Sequence, residues 1–191
     1  MKRSEVRVLP HPPSSIKWGK VSRSFEGMEA IGIKKSFPTF SNKDYFRTFI
    51  AEWPSFVRWM RETMGGSVLV IVRDPRLTML SWKTTFDALK ESTENQCIAW
   101  NTITSAIVSS QSLGVLVVCY EDLTENPHTV IFRIAEHVGV KSTLKEHLPA
   151  VSGFDLVSYL ARKGIPMASA EADFSVVENI CGDIAQEVRL S

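Results

Sequence analysis

The chain has 191 residues, of which 44% are hydrophobic and 23% charged, a size and composition that suit one domain with a sizeable core. Its net charge of +1 argues against a general nucleic-acid binder, and no apolar run approaches the roughly 18 residues that cross a bilayer. Because the first residues also lack the apolar core of a secretory signal, we expect a cytoplasmic protein without nucleic-acid or membrane partners.

Residues 1–42 are the least regular part of the sequence, since prolines and a serine pair interrupt any helical pattern. We therefore predict an irregular basic segment over 1–42 and one α/β domain over 43–191. Residues 1–66 hold twelve Lys or Arg and six Asp or Glu, a net charge of +6, so the rest of the chain carries −5. This basic third either attracts an anionic ligand or is an ordinary solvated face.

A helical pattern begins at Lys43, where apolar residues recur at spacings of three and four up to Met64. Pro54 should kink this stretch or begin a second helix, because proline cannot donate to residue 50. Gly65 and Gly66 should end it. The β-branched run from Ser67 to Val72 predicts a strand of a parallel sheet that is buried on both faces.

The second half of the chain alternates further helical and extended patterns. Two helices are predicted over Arg76–Lys90 and Asn95–Ser110, followed by a second buried strand over Val115–Tyr120. Asn126 and Pro127 are typical of a helix start, which Gly139 should end. Residues 177–188 mark a terminal amphipathic helix. Strands separated by helices indicate an α/β sheet, mainly parallel.

The remaining titratable groups give no further motif. The three cysteines, Cys97, Cys119 and Cys181, lie far apart, which disfavours both disulfides and a metal knuckle, so we expect buried thiols and no metal. His128, His137 and His147 are assigned to helical surfaces, and His11 to an exposed loop.

Polar residues follow each of the two predicted strands, where open α/β sheets bind their ligands. After the first strand, the guanidinium of Arg73 and the hydroxyl of Ser81, about two helical turns further on, could converge on one phosphate. The alternative is that Arg73 pairs with a local carboxylate and Ser81 is a surface hydroxyl.

The second predicted strand ends in Tyr120, Glu121 and Asp122. The ring of Tyr120 could face a nucleotide base, and the carboxylates could accept hydrogen bonds from loop amides or from Arg73. The alternative is a buried tyrosine with a structural role.

These residues carry a resemblance to a known family. The segment I-V-R-D-P-R-L-T-M-L-S-W (71–82) resembles the 3′-phosphate-binding motif of PAPS-dependent sulfotransferases, which has Arg after a strand and Ser eight positions later. The segment V-L-V-V-C-Y-E-D-L-T-E-N-P (115–127), with Trp100 upstream, is similar to the second hallmark of that family. The ending V-E-N-I-C-G-D-I-A-Q-E-V (177–188) resembles the last helix of its bacterial-type members.

The resemblance implies transfer of a sulfuryl group from PAPS to a hydroxyl or amine of a small molecule or glycan, with release of PAP and without a metal. It implies that Arg73 and Ser81 bind the 3′-phosphate and that Tyr120 contacts adenosine. Arg162-Lys163-Gly164 is similar to the start of a late nucleotide-binding loop of the family, although Met167 stands where a further glycine is expected.

The sequence departs from the family at its amino terminus. Relatives begin with a strand and a loop such as P-R-S-G-T-T, whose amides and basic residue hold the 5′-phosphosulfate. The segments 17–20 and 22–24 have suitable residue types in another pattern. We therefore expect a P-loop-like, mainly parallel sheet flanked by helices, without its first strand and loop. The chain is then truncated, or a basic segment replaces the loop, or full enzymatic activity is lost; an unpaired sheet edge would favour a homo-oligomer.

No catalytic base is identified. The segment 32–38 resembles a Lys-Ser/Thr-x-Pro segment of the family, but Phe37 stands where some members have His. Lys34 and Lys35 are the remaining candidates for stabilising the transferring group. Two other functions stay open. One is a non-catalytic nucleotide-binding or interaction module of the same fold; the other is a nucleotide kinase, which would need a Walker loop that the sequence lacks.

Overall fold

A computed structural model describes residues 43–85, 92–139 and 155–190 of the chain. Its helices and strands follow in the order α1 (Lys43–Arg58), β1 (Val68–Val72), α2 (Pro75–Thr85), α3 (Thr93–Ser109), β2 (Val115–Cys119), α4 (Tyr120–Glu125), α5 (Pro127–Val138), α6 (Leu156–Lys163) and α7 (Met167–Leu190). A π-helical turn, Trp59–Thr63, follows α1, and a 3₁₀ turn, Ser110–Leu113, precedes β2. The predicted segment 1–42, with Lys34, Lys35 and His11, lies outside the described residues, as does His147.

The described part of the fold is mostly helical around a two-stranded parallel sheet, which is compatible with the α/β expectation. The strands pair in register from Val68 opposite Val115 to Val72 opposite Cys119. Helices α2 and α3 lie between the strands in sequence, because parallel strands need a long crossover connection. Within the described ranges, none of the helices is long and apolar enough to cross a membrane.

The core is built mainly by α1, α3, α7 and the inner sides of both strands. Val57, Cys97, Val177 and Cys181 are fully buried in it. The prediction of three buried thiols is confirmed, since Cys119 is buried as well. Packing between α3 and α7 fixes the last helix against the sheet, so α7 can contribute side chains to the strand ends.

Helix α1 does not restart at Pro54, as one reading of the sequence predicted, but runs through it. A proline inside a helix costs about 3 kcal/mol. Trp53, Phe56 and Val57 are buried on either side of it, and burying one such side chain contributes about 1.5–3 kcal/mol. Packing therefore outweighs the missing hydrogen bond. The helical region ends before Gly65, which adopts φ +61°, so the predicted stop is confirmed.

Other predicted boundaries need correction. The second strand ends at Cys119, and Tyr120 begins α4 instead of closing the strand. The first strand is not buried on both faces, because Ile71 is 49% exposed. His137 is half-buried rather than on a helical surface, with Nε2 2.9 Å from the Val68 carbonyl oxygen.

The predicted start and end of α5 are confirmed. Pro127 occupies its first turn, and Gly139 ends it with φ +71°. Asn126 stands at the cap position, but its side chain makes no capping hydrogen bond. The terminal helix predicted over 177–188 is also confirmed, and it is longer, because α7 begins at Met167.

Candidate functional site

The parallel register places the first candidate residues side by side. Because Val72 pairs with Cys119, the residues that follow them, Arg73 and Tyr120, leave the sheet at the same edge. The guanidinium carbon of Arg73 lies 5.4 Å from the centroid of the Tyr120 ring, within the range of a cation–π contact. The two post-strand segments therefore meet at this edge of the sheet. We call Arg73, Asp74, Tyr120 and Glu121 the strand-end cluster.

A carboxylate ties the two segments of this cluster together. The backbone N–H of Asp74 donates to both carboxylate oxygens of Glu121, at 3.1 and 3.2 Å. The Cys119 thiol also donates to Glu121, at 3.0 Å. Burial, together with this hydrogen bond to a carboxylate, raises the pKa of Cys119 to about 11. The thiol is therefore protonated at neutral pH and holds Glu121 in place.

Asp74 is the most constrained charge at the strand ends. Its carboxylate, 7% exposed, accepts from Arg76 at 2.8 Å and lies 3.7 Å from Arg189 of α7. Burial would raise the pKa of Asp74, but hydrogen bonds and charge from Arg76, with the charge of Arg189, hold that pKa below its ordinary value. The ion pairs of this local carboxylate thus involve Arg76 and Arg189.

Helix α7 contributes two charges that the sequence analysis missed. Arg76 donates to Glu178 at 3.0 Å, and Arg189 approaches Asp74. Glu178 and Arg189 are eleven positions apart, about three helical turns, so they share one face of α7. That spacing was visible in the sequence, but which face packs on the strand ends depends on the tertiary structure.

Ser81, the second predicted phosphate ligand, lies on α2 and is half-buried. Its carbonyl oxygen accepts from the Thr84 hydroxyl at 3.3 Å, an ordinary contact within a helix. The convergence of its own hydroxyl with Arg73 on one phosphate stays a prediction.

The Arg162-Lys163-Gly164 segment lies at the end of α6. Gly164 ends that helix with φ +67°, a conformation that favours glycine. The cations of Arg162 and Lys163 lie 5.7 and 6.0 Å from the ring centroid of Tyr159. The hydroxyl of Tyr159 is 2.7 Å from that of Thr84, which attaches this segment to the second half of α2.

Two cavities differ greatly in size. The one beside Arg73, which Trp100 and Val188 also line, holds about 20 Å³, room for about one water molecule. The other lies between α2 and α7 and holds about 360 Å³, with Lys163 on its wall. The ring of Tyr120 is 38% exposed. A nucleotide base stacked on that ring would therefore lie on an open surface beside the strand-end cluster.

No group of three or more His, Cys, Asp or Glu side chains that could hold a metal ion occurs within residues 43–85, 92–139 and 155–190. Comparison of the chain with protein-family models, with curated proteins and with solved structures finds no match in any of the three.

Proposed function

We propose that the chain is a sulfotransferase domain on a P-loop-like sheet, which transfers a sulfuryl group from PAPS to a hydroxyl or amine. The observation that carries the proposal is the contact between Arg73 and Tyr120 beyond the carboxyl ends of two parallel strands. Ligands of open α/β sheets bind at such strand ends. Arg73 and Tyr120, which meet there, belong to two motifs that lie far apart along the chain. The family resemblance implies that both motifs bind the same nucleotide.

Each residue of the site has a chemical role in this proposal. Arg73 offers a planar fork of donors to the 3′-phosphate, and Ser81 adds a neutral donor. Tyr120 presents its exposed ring to the adenine. The hydrogen bonds from Asp74 to Glu121 support the role of Arg73, because they hold the two post-strand segments at a fixed separation.

The chemical step itself forms one bond and breaks one. The acceptor oxygen or nitrogen bonds to sulfur, the bond from sulfur to the bridging oxygen of the 5′-phosphate breaks, and PAP leaves with that electron pair. The acceptor loses its proton to a base or to solvent. Lys34 and Lys35 are the proposed source of positive charge near the transferring group.

Calorimetry with PAP and with adenosine 5′-phosphate tests the proposal. PAP should bind, and the nucleotide without the 3′-phosphate should bind much more weakly. Arg73→Ala should weaken PAP binding by roughly 2–4 kcal/mol, because it removes a charge-assisted contact. Arg133→Ala, at an exposed position of α5, is the matched control and should leave the affinity unchanged. Equal affinity for the two nucleotides would end the assignment.

One observation favours a second candidate, a nucleotide-binding module that is impaired in catalysis. The sequence keeps the proposed 3′-phosphate residues but shows no recognisable 5′-phosphosulfate loop. Losing one donor to the developing charge typically costs about 100-fold or more in rate, and a missing loop removes several. Turnover and oligomeric state should be measured on one sample with a panel of hydroxylated acceptors. A monomer that turns over about once per second or faster excludes the impaired module.

A further inference from the structure

The cavity of about 360 Å³ is separate from the strand-end cluster. It lies between α2, the end of α6 and the first half of α7, and none of Arg73, Ser81 and Tyr120 lines it. Ser81 and Lys83 are two positions apart on α2, so their side chains project in nearly opposite directions. A ligand bound against Lys83 is therefore on the other side of α2 from one bound by Ser81.

The floor of this cavity is apolar. Six of its lining residues are aliphatic or aromatic: Met79, Leu80, Ile165, Ala170, Phe174 and Val177. Its volume of about 360 Å³ lies in the range of small-molecule sites, about 300–1,000 Å³. An apolar cavity of about 150 Å³ already accommodates benzene. The space therefore suits a body of one or two fused rings.

Three cations are among the described residues that line the cavity, and two of them have carboxylate partners. Arg76 is held by Asp74 at 2.8 Å and by Glu178 at 3.0 Å. Lys83 is paired with Asp173 at 2.7 Å, so the only carboxylate among the described lining residues is neutralised. Neither pair needs a ligand to balance its charge.

Lys163 differs from these two. It makes no ion pair with any residue in the described part of the chain, and its ammonium group lies 6.0 Å from the centroid of the Tyr159 ring. That ring is fixed in turn by the 2.7 Å contact between its hydroxyl and Thr84. The cavity thus has an apolar floor, two cations with carboxylate partners and a third, Lys163, that has no carboxylate partner among the described residues.

We infer that this cavity is a second ligand site, which takes a small aromatic or aliphatic molecule with a single anionic group, its ring on the apolar floor and its anion at Lys163. The site depends on neither PAPS nor the proposed transfer reaction, and it assigns Lys163 to this second ligand instead of to the nucleotide-binding loop that the sequence resemblance implies. Its volume and lining favour a carboxylate of about two fused rings over a nucleotide, whose phosphates would need more uncompensated charge than Lys163 supplies.

Calorimetry with 2-naphthoate and 2-naphthamide on the whole chain tests the inference, because the two probes share a shape and differ in charge. Naphthoate should bind about threefold to fivefold more tightly, the gain expected from one solvent-exposed ion pair. Lys163→Met should remove that difference and leave naphthamide binding unchanged. Arg133→Met, an exposed substitution on α5, should alter neither affinity.

Two further measurements separate this site from the strand ends. Ala170→Leu should fill the cavity and weaken the binding of both probes, and circular dichroism should confirm that this variant is folded. If Ala170→Leu does not fold, Lys163→Met still provides a test, because position 163 is exposed. Saturating PAP should leave the naphthoate affinity unchanged. Equal affinities of the two probes for the wild type, retention of the difference in Lys163→Met, or strict competition by PAP would each overturn the inference. Failure of PAP to bind would refute the proposed function alone.

Discussion

The strand-end cluster and the cavity between α2 and α7 both adjoin helix α2, since Asp74 directly precedes that helix and five of its residues line the cavity, but the two regions use their charges differently. At the strand ends, the Asp74 carboxylate and the Asp74 amide are already engaged by Arg76 and Glu121, and the cavity there holds only about 20 Å³. The cavity between α2 and α7 holds about 360 Å³, and one of its cations, Lys163, has no carboxylate partner among the described residues.

The difference shows that a concentration of charged residues does not by itself mark the larger cavity. The strand-end cluster is a rigid frame that offers a surface, with Arg73 and Tyr120 at its edge. The cavity offers volume, and six of its eleven described lining residues are apolar. A ligand of the first would be held by directed contacts, whereas a ligand of the second would be held mainly by burial of apolar area.

The largest expected effect is on the free energy of unfolding, when one aromatic side chain of each region is replaced by alanine. Trp100 is 5% exposed and lines the small cavity beside Arg73, so Trp100→Ala should lower the free energy of unfolding by about 3–5 kcal/mol. Phe174 is half-buried on the larger cavity, and Phe174→Ala should cost about 1–2 kcal/mol. Urea unfolding measures both. A larger loss for Phe174 would mean that the larger cavity is the better packed of the two regions.

The next effect depends on the charge of Asp74. Asp74→Asn removes charged hydrogen bonds to Arg76 and should cost about 1.5–3 kcal/mol of unfolding free energy at pH 7. Because the pKa of Asp74 is below its ordinary value of 3.8 in the folded state, this stability is present above that value. It is lost as the pH falls through the folded-state pKa.

Urea unfolding of the wild type and of Asp74→Asn at pH 7 and near pH 3 checks this pH dependence. The difference in unfolding free energy between the two proteins should be smaller at the lower pH. Asp183→Asn, at an exposed position of α7, is the control and should change little at either pH. A difference that stays constant, or grows as the pH falls, would show that Asp74 does not act through its charge.

The smallest expected effect is the loss of the contact between Arg73 and Tyr120. A double-mutant cycle with Arg73→Met and Tyr120→Leu should give a coupling of about 0.5–1 kcal/mol in unfolding free energy. The same cycle on Arg162 and Tyr159, at 5.7 Å, provides a matched pair in the other region. If the coupling is near zero for Arg73 and Tyr120 but measurable for Arg162 and Tyr159, then the strand-end cluster is not the more rigid of the two regions.

Much of the fold could be predicted, because its patterns are local. The runs that became β1 and β2 are continuously apolar, and Pro127 and Gly139 mark the ends of α5 by their own backbone preferences. The failures have tertiary causes. Packing carries α1 through Pro54, and Ile71 is exposed because no described element covers that position.

The candidate site was predictable to the same extent. That Arg73 and Tyr120 follow two strands could be read from the sequence, and their adjacency followed once the strands were taken as parallel neighbours. The partners that α7 supplies, Glu178 and Arg189, could not be predicted from the sequence. No local sequence pattern indicates which face of a long helix packs on the strand ends. Nor could the position of Lys163 on the wall of a separate cavity be predicted.

The hydrogen bond between Asp74 and Glu121 has a consequence for how the chain folds. The two residues are 47 positions apart, so closing the loop between them costs about 3 kcal/mol of chain entropy before β1 and β2 can pair. Helices α2 and α3 form within that loop and shorten the distance to be searched. Substitutions that weaken α3 should therefore slow refolding as well as lower stability, because the strands would then have to meet across a longer disordered loop.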